Sequence, residues 1–185
     1  MATMGDPTQR EGVAPAYPVE ATLRDGTRVM IRPIGPEDEA REQTFVRSLS
    51  NESRYFRFMN TLRELTPDML HRFTDPDPAS EVALVALQST GDQTRQVGVA
   101  RFAAGNTAES GEFAIVVADE MQGKGLGTRL MQELLRNARA RGLQQLEGTV
   151  LASNHQMLAL MQALGFEISA LPEDQRLRRV VKRLA

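Results

Sequence analysis

The chain has 185 residues, the size of one ordinary domain with a short tail. Hydrophobic residues make up 41% and charged residues 25%, which is enough for a real core and excludes wholesale disorder. There is no Cys and there are only two His, and 22 basic side chains against 24 acidic ones leave a net charge of −2. Disulfides, a thiolate nucleophile and Cys-type metal centres are therefore excluded, and binding to nucleic acid through bulk positive charge is disfavoured.

Residues 1–20 carry Gly5, Pro7, Gly12, Pro15 and Pro18 among few large apolar groups, and are expected to form a flexible leader before a single domain at 21–185. No basic start leads into an apolar stretch, so no secretory signal is expected. The longest apolar run, Val82 to Leu87, is far short of the roughly 20 residues that cross a bilayer. A cytoplasmic protein without a membrane partner is the expectation.

Asp25-Gly26 separates two short extended runs, Thr22 to Arg24 and Arg28 to Ile34, and reads as a hairpin turn. Pro36-Glu37-Asp38 suits a helix start, with Phe45, Val46 and Leu49 on one face. A second helix is expected over Asn51 to Met59. A third follows Thr66-Pro67-Asp68, where Thr66 is the cap, and Asp75-Pro76-Asp77-Pro78 ends it. Glu81 to Gln88, Gln96 to Ala103 and Glu112 to Val117 are short, apolar and separated by turn residues, which predicts an antiparallel meander. A helix follows, with Leu126, Leu130, Met131, Leu134, Leu135 and Ala138 at helical spacing and Gly142 at its end. Leu146 to Ala152 is a strand. Ser153 or Asn154 caps a further helix that buries Met157, Leu158, Leu160, Met161 and Leu164. Phe166 to Ala170 is a strand. In the last segment Leu177, Val180, Val181 and Leu184 fit a helical stripe and a strand equally well.

Gln122-Gly123-Lys124-Gly125-Leu126-Gly127-Thr128 joins a strand to the long amphipathic helix. Glycines let successive backbone N–H groups turn toward one point, and the helix adds the positive end of its dipole. A phosphate or pyrophosphate is the natural guest. Neither common phosphate fingerprint fits: G-x-G-x-x-G fails at Thr128 or Leu130, and a P-loop fails because Gly125 follows Lys124. A tight strand-to-helix turn with no ligand would use the same glycines.

At Gln122-x-x-Gly125-x-Gly127 the sequence resembles the GNAT superfamily of acetyl-CoA-dependent N-acetyltransferases. Asn154, Gly165 and Phe166 match a second signature of that family. Leu23-Arg24-Asp25-Gly26, Ile31 to Ile34, Glu37-Asp38, Ser53 to Phe58, Gly111 to Ala114 and Met157 to Leu160 resemble the acetyltransferase domain of Pat-type bacterial protein lysine acetyltransferases. The resemblance implies an α/β domain, a mixed and mostly antiparallel sheet with helices on both faces. It implies acetyl-CoA as cofactor, with the loop from Gln122 through Gly123, Lys124, Gly125, Leu126, Gly127 and Thr128 holding its pyrophosphate. Backbone groups of Ile115, Val116 and Val117 would engage the acetyl carbonyl and pantetheine arm, and Asn154 the cofactor arm or the opposing strand.

A lysine amine with a pKa near ~10.4 must lose its proton before it attacks a thioester. By resemblance Glu112 is the general base; read alone, it is a polar residue at a strand end. Many family members protonate the departing thiolate with a Tyr where this chain has Met161. The lack of Cys rules out an acetyl-cysteine intermediate, which favours direct transfer. The expected acceptor is a protein lysine, an acyl-CoA-synthetase-like enzyme being one such protein; the alternatives are a small amine, or a sensor that binds acyl-CoA without turnover. Neither the acceptor nor the oligomeric state follows from the sequence. The large synthetase-like or nucleotide-sensing domain that Pat enzymes commonly carry does not fit in this length.

Overall fold

A hairpin opens the sheet: β1 (Val19–Thr22) and β2 (Arg28–Pro33) turn back at Gly26, whose φ of 86° suits glycine. The computed structural model describes residues 13–184. The first 12 residues of the expected leader lie outside them. Its last part is ordinary structure. Val19 and Glu20 belong to β1, and the Tyr17 hydroxyl accepts a hydrogen bond from Asn137 Nδ2 at 2.6 Å, so the domain starts earlier than residue 21.

A 3-10 turn at Pro36–Asp38 leads into α1 (Glu39–Ser48). The wholly buried Asp38 carboxylate fixes this corner. It accepts from Arg32 at 2.7 and 2.8 Å, from Arg41 at 3.0 Å and from the Gly35 N–H at 2.9 Å. Burial alone would raise its pKa, but the Arg32, Gly35 and Arg41 donors outweigh it and the net direction is down. The Arg32 and Asp38 of the family-like segments thus serve the frame. Next come α2 (Asn51–Phe58), capped by the Ser50 side chain, and α3 (Pro67–Thr74), capped by Thr66 with Pro67 at its first position.

The meander is present as β3 (Glu81–Thr90), β4 (Gln93–Ala104) and β5 (Ser110–Val117), all antiparallel. After it come α4 (Leu126–Ala140), β6 (Gln145–Leu151), α5 (His155–Ala163), β7 (Glu167–Leu171) and β8 (Asp174–Arg183). The ambiguous last segment is β8, a strand because it pairs with β6 on one side and β7 on the other. The sheet order is β1-β2-β3-β4-β5-β6-β8-β7, and among the described residues only the β5–β6 pair is parallel.

Helices cover both faces. Glu42 of α1 meets Gln96, and the Phe73 carbonyl of α3 accepts from Arg101, so α1 and α3 share one face. On the other face a Cβ at Gly98 would meet Leu130 at 2.9 Å, and one at Gly127 would meet Leu160 at 3.1 Å, which places α4 and α5 there. The predicted stripe of α4 is fully buried, and truncating a member such as Leu130 to Ala would cost about 2–5 kcal/mol. The stripe expected for α5 is less buried: only Met161 is enclosed, while Met157, Leu158, Leu160 and Leu164 are half-buried. Met157 and Leu160 lie partly open because they wall a cavity. Among the described residues no helix is long and apolar enough to cross a membrane.

Candidate active site

The site begins where the parallel pair stops pairing. β5 and β6 are in register at Ser110/Gln145, Gly111/Leu146 and Glu112/Glu147, and then diverge. The Phe113 ring is the wedge. It lies against Gly148, where an added Cβ would sit 2.8 Å from Phe113 Cε1, and it packs on Phe166 with centroids 5.4 Å apart. Beyond Glu112, β5 keeps its pairing with β4 through Val117, so its other edge presents free backbone N–H and C=O groups toward the gap.

That edge runs into the glycine loop. Gly123 and Gly125 have φ of 75° and 95°, a left-handed conformation that side chains disfavour. Gly125 is the N-cap of α4 and has no side chain to satisfy the N–H groups of the first turn. Those donors and the helix dipole therefore face outward, the arrangement that suits a pyrophosphate. A cavity of about 610 Å³ joins the two features. Phe113 to Val117 form one wall, the loop and the N-terminal turn of α4 one end, Thr149 to Met157 a second wall, and α2 a third.

Side chains brace the junction between α2 and the loop. The Asp119 carboxylate accepts from the Ser50 N–H at 2.9 Å, the Ser50 hydroxyl at 2.7 Å and the Ser53 hydroxyl at 2.7 Å. Burial opposes ionisation there, but the Ser50 and Ser53 donors hold the carboxyl below its ordinary range. Gln122 Nε2 donates to Ser53 Oγ at 3.3 Å and to the Val117 carbonyl at 3.2 Å. On the opposite side the first hairpin supports the loop: the Arg24 N–H donates to the Lys124 carbonyl at 3.0 Å, and Lys124 Nζ pairs with Asp25 at 3.0 Å.

The sequence profile of the Acetyltransferase (GNAT) family matches residues 44–166. The chain belongs to this GNAT family. It is 38% identical over 164 residues to the acetyltransferase PA5475 of Pseudomonas aeruginosa, covering 89% of this chain and 87% of that protein. It is 31% identical to the acetyltransferase Pat of Mycolicibacterium smegmatis over 149 residues, 80% of this chain but only 44% of the longer relative. A 58-residue stretch is 41% identical to an L-methionine sulfoximine/L-methionine sulfone acetyltransferase of Pseudomonas aeruginosa, covering 31% of this chain and 34% of that enzyme. Among solved structures, the GNAT domain of S. lividans PAT superposes with a TM-score of 0.81 at 27% identity, covering 90% of this chain and 97% of that one. The protein is accordingly an acyltransferase with the mixed, mostly antiparallel GNAT fold.

Most of the expected GNAT site residues come together. Ile115, Val116, Val117, Gln122, Gly123, Gly125, Gly127, Thr128 and Asn154 line the one cavity. Asn154 also caps α5, accepting from the Met157 N–H at 3.2 Å. Leu126 does not line it: its side chain is 1% exposed in the core, which leaves only its backbone N–H for a ligand. Lys124 lies outside the cavity wall, engaged with Asp25. Glu112 is exposed and also lies outside the wall; it stands on the last paired rung before the strands part. Met161 is wholly buried, so no proton donor occupies that place. From sequence alone Arg57 reads with Arg54 and Arg63 either as a solvated helix face or as a group that guides an acidic partner or a substrate's charge, while Ser53 has only its place in a Pat-like segment and Asp119 has no signal. The only signal for the brace was Ser50-Asn51-Glu52-Ser53 as a helix start, which does not reveal its partner near residue 119.

Proposed function

We propose that this chain transfers acetyl from acetyl-CoA directly to a protein lysine side-chain amine, with Glu112 as general base. The observation that carries this reading is the parting of β5 from β6 immediately after Glu112. The residues fit the cofactor: an uncapped helix start with left-handed glycines suits a pyrophosphate, and a strand edge with unpaired amides suits an extended amide-bearing arm. The backbone of Gly123 to Thr128 would hold the pyrophosphate, the free edge of Ile115, Val116 and Val117 the arm, and Asn154 would close over it. Acetyl-CoA supplies an acyl thioester, an electrophile with a tolerable leaving group.

Glu112, Ala114 and Val116 alternate onto one face of β5. Ala114 lines the cavity, and Glu112 stands two residues along, about 7 Å away. A carboxylate at that range takes the ammonium proton through one water. The neutral amine then attacks the thioester carbonyl. N–H groups on the free strand edge would stabilise the negative charge that develops on its oxygen. The thiolate leaves with water as its proton source.

Kinship to the Pat acetyltransferase and the Pat-like segments support a lysine acceptor. The stretch related to the methionine sulfoximine/sulfone enzyme supports a second reading, a small amine. Mass spectrometry of a lysate incubated with the protein and acetyl-CoA tests the first. New acetyl-lysines that fail to form with Glu112→Gln are expected. No new acetyl-lysines, together with CoA release on adding small amines, would establish the second.

A further inference from the structure

One group in the cavity wall has no role in the mechanism above. Arg57, one turn along α2 from the bracing Ser53 and on the same face, lines the cavity, yet its guanidinium donates to no described residue. It rests instead on aromatic faces, 4.8 Å from the centroid of Phe58 and 5.9 Å from that of Phe73. A second guanidinium, Arg101, lies 4.5 Å from the opposite partner, the Phe73 ring, and donates to the Phe73 carbonyl at 3.0 Å. Stacking of this kind fixes the cations in place without neutralising them.

The anion that acts on both is Glu42, which is 2% exposed and accepts from Gln96 Nε2 at 2.5 Å. Burial pushes its carboxyl pKa up, against the smaller opposing effects of Gln96, Arg101 and Arg57. Burial also lowers Arg57, to about 10, and repulsion from Arg101 adds to this. Arg101 has a second carboxylate, Glu81, but Arg57 faces only Glu42, which burial drives toward its neutral form. Arg101 Nε and Gln96 Oε1 are buried without partners. A half-buried cation short of compensating anions is costly, and the cost falls when an anion arrives.

Resting on the acetyltransferase reading, we propose that Arg57 is a specificity-determining residue that holds a carboxylate of the acceptor. Arg57 lines the same cavity as the strand edge that would hold the thioester, so an acceptor bound there can present its amine to β5 and its carboxylate to α2. The carboxylate is either that of a free amino acid or that of an acidic residue beside an acceptor lysine. The guanidinium fork favours a planar carboxylate over an uncharged carboxamide.

The test is equilibrium binding of acetylated products with CoA present, together with CoA release from acetyl-CoA. One arm compares N-acetyl amino acids with their carboxamides; the other compares acetyl-lysine peptides flanked by Asp with the same peptides flanked by Asn. A carboxylate preference of at least tenfold in one arm is expected, and that arm identifies the source. Arg57→Met should abolish the preference while leaving CoA affinity within twofold, and Arg57→Lys should restore part of it, which separates charge from folding. Equal binding of carboxylate and amide in both arms, no binding in either, or a preference that survives Arg57→Met would overturn the inference. If the preference holds but CoA does not bind and no amine is acetylated, the parent reading fails instead.

Discussion

The two ends of the cavity are built from different material. The loop end is backbone: left-handed glycines, the bare first turn of α4 and the free edge of β5. The α2 end is side chain: Asp119 bonded to Ser50 and Ser53, Gln122 bonded to Ser53, and Arg57 stacked on Phe58 and Phe73. A backbone site recognises groups that every substrate of the family shares, because amide donors do not change with sequence. A side-chain site changes with single substitutions, and that is where one acceptor can be told from another. Substitutions at the loop end should therefore act on cofactor affinity, and substitutions at the α2 end on acceptor preference.

The largest effect is expected at Glu112, on the last paired rung before β5 and β6 part. Glu112→Gln keeps the shape of the side chain and removes its proton affinity. The turnover number should fall roughly 100-fold or more, as for loss of a positioned general base. CoA affinity measured by calorimetry should stay within twofold. An unchanged turnover number would remove Glu112 from the chemistry and leave the base to be found at the α2 end. Next in size is Gly125→Val. A β-branched residue at a φ of 95° is strongly strained, and the strain falls on the turn that aims the α4 donors. CoA should bind at least tenfold more weakly. Acceptor discrimination in whatever activity remains should be unchanged; a changed preference would mean that the two ends are not separable.

Asp119→Asn is the corresponding cut at the α2 end. It should raise the KM for acceptor more than the KM for acetyl-CoA. It should also cost about 1 kcal/mol of stability, discounted for the exposure of this side chain to solvent. Its folded-state pKa lies below the unfolded value near ~3.9. The wild type therefore holds this stabilisation above that value and loses it as pH falls through the folded pKa. Thermal unfolding followed from pH 7 downward should show a shallower acid decline for Asp119→Asn than for the wild type. Parallel declines would show that the three donors to Asp119 contribute nothing net.

The same contrast explains what could be read from the sequence. The loop was legible because a backbone site is written as local spacing: Gly123, Gly125 and Gly127 before an amphipathic stripe. The meander and α4 were legible for the same reason. The Asp119 brace was not, since Ser50 and Ser53 lie more than 60 residues from it and nothing periodic connects them. The Arg57 pocket was not, because an arginine in an eight-residue helix reads as a solvated face until α3 supplies Phe73 beneath it. Strand β8 stayed ambiguous because β-branched residues at this spacing suit both states, and only pairing on both sides decides between them. The boundary of the leader failed because Tyr17 is held by Asn137, 120 residues away.

The smallest effect is expected at Lys124, and it marks the boundary of the loop end. Its ammonium sits inside the family motif, and by sequence it looks like a phosphate ligand. In the fold it is engaged with Asp25 at 3.0 Å, part of the tie between the first hairpin and the loop. The Thr27 N–H and then Lys124 hold the Asp25 carboxyl down at about 2, so Asp25 stays a carboxylate across the working range of pH. An exposed pair of this kind adds little to stability. With its charge already engaged, Lys124 has little left for a phosphate beyond a screened, longer-range attraction. Lys124→Gln should therefore weaken CoA binding by no more than about threefold, less so as salt rises, with the unfolding temperature nearly unchanged. A tenfold loss that persists in high salt would make Lys124 a direct ligand. The loop end would then depend on a side chain after all, and the division between a backbone-built and a side-chain-built half would have to move.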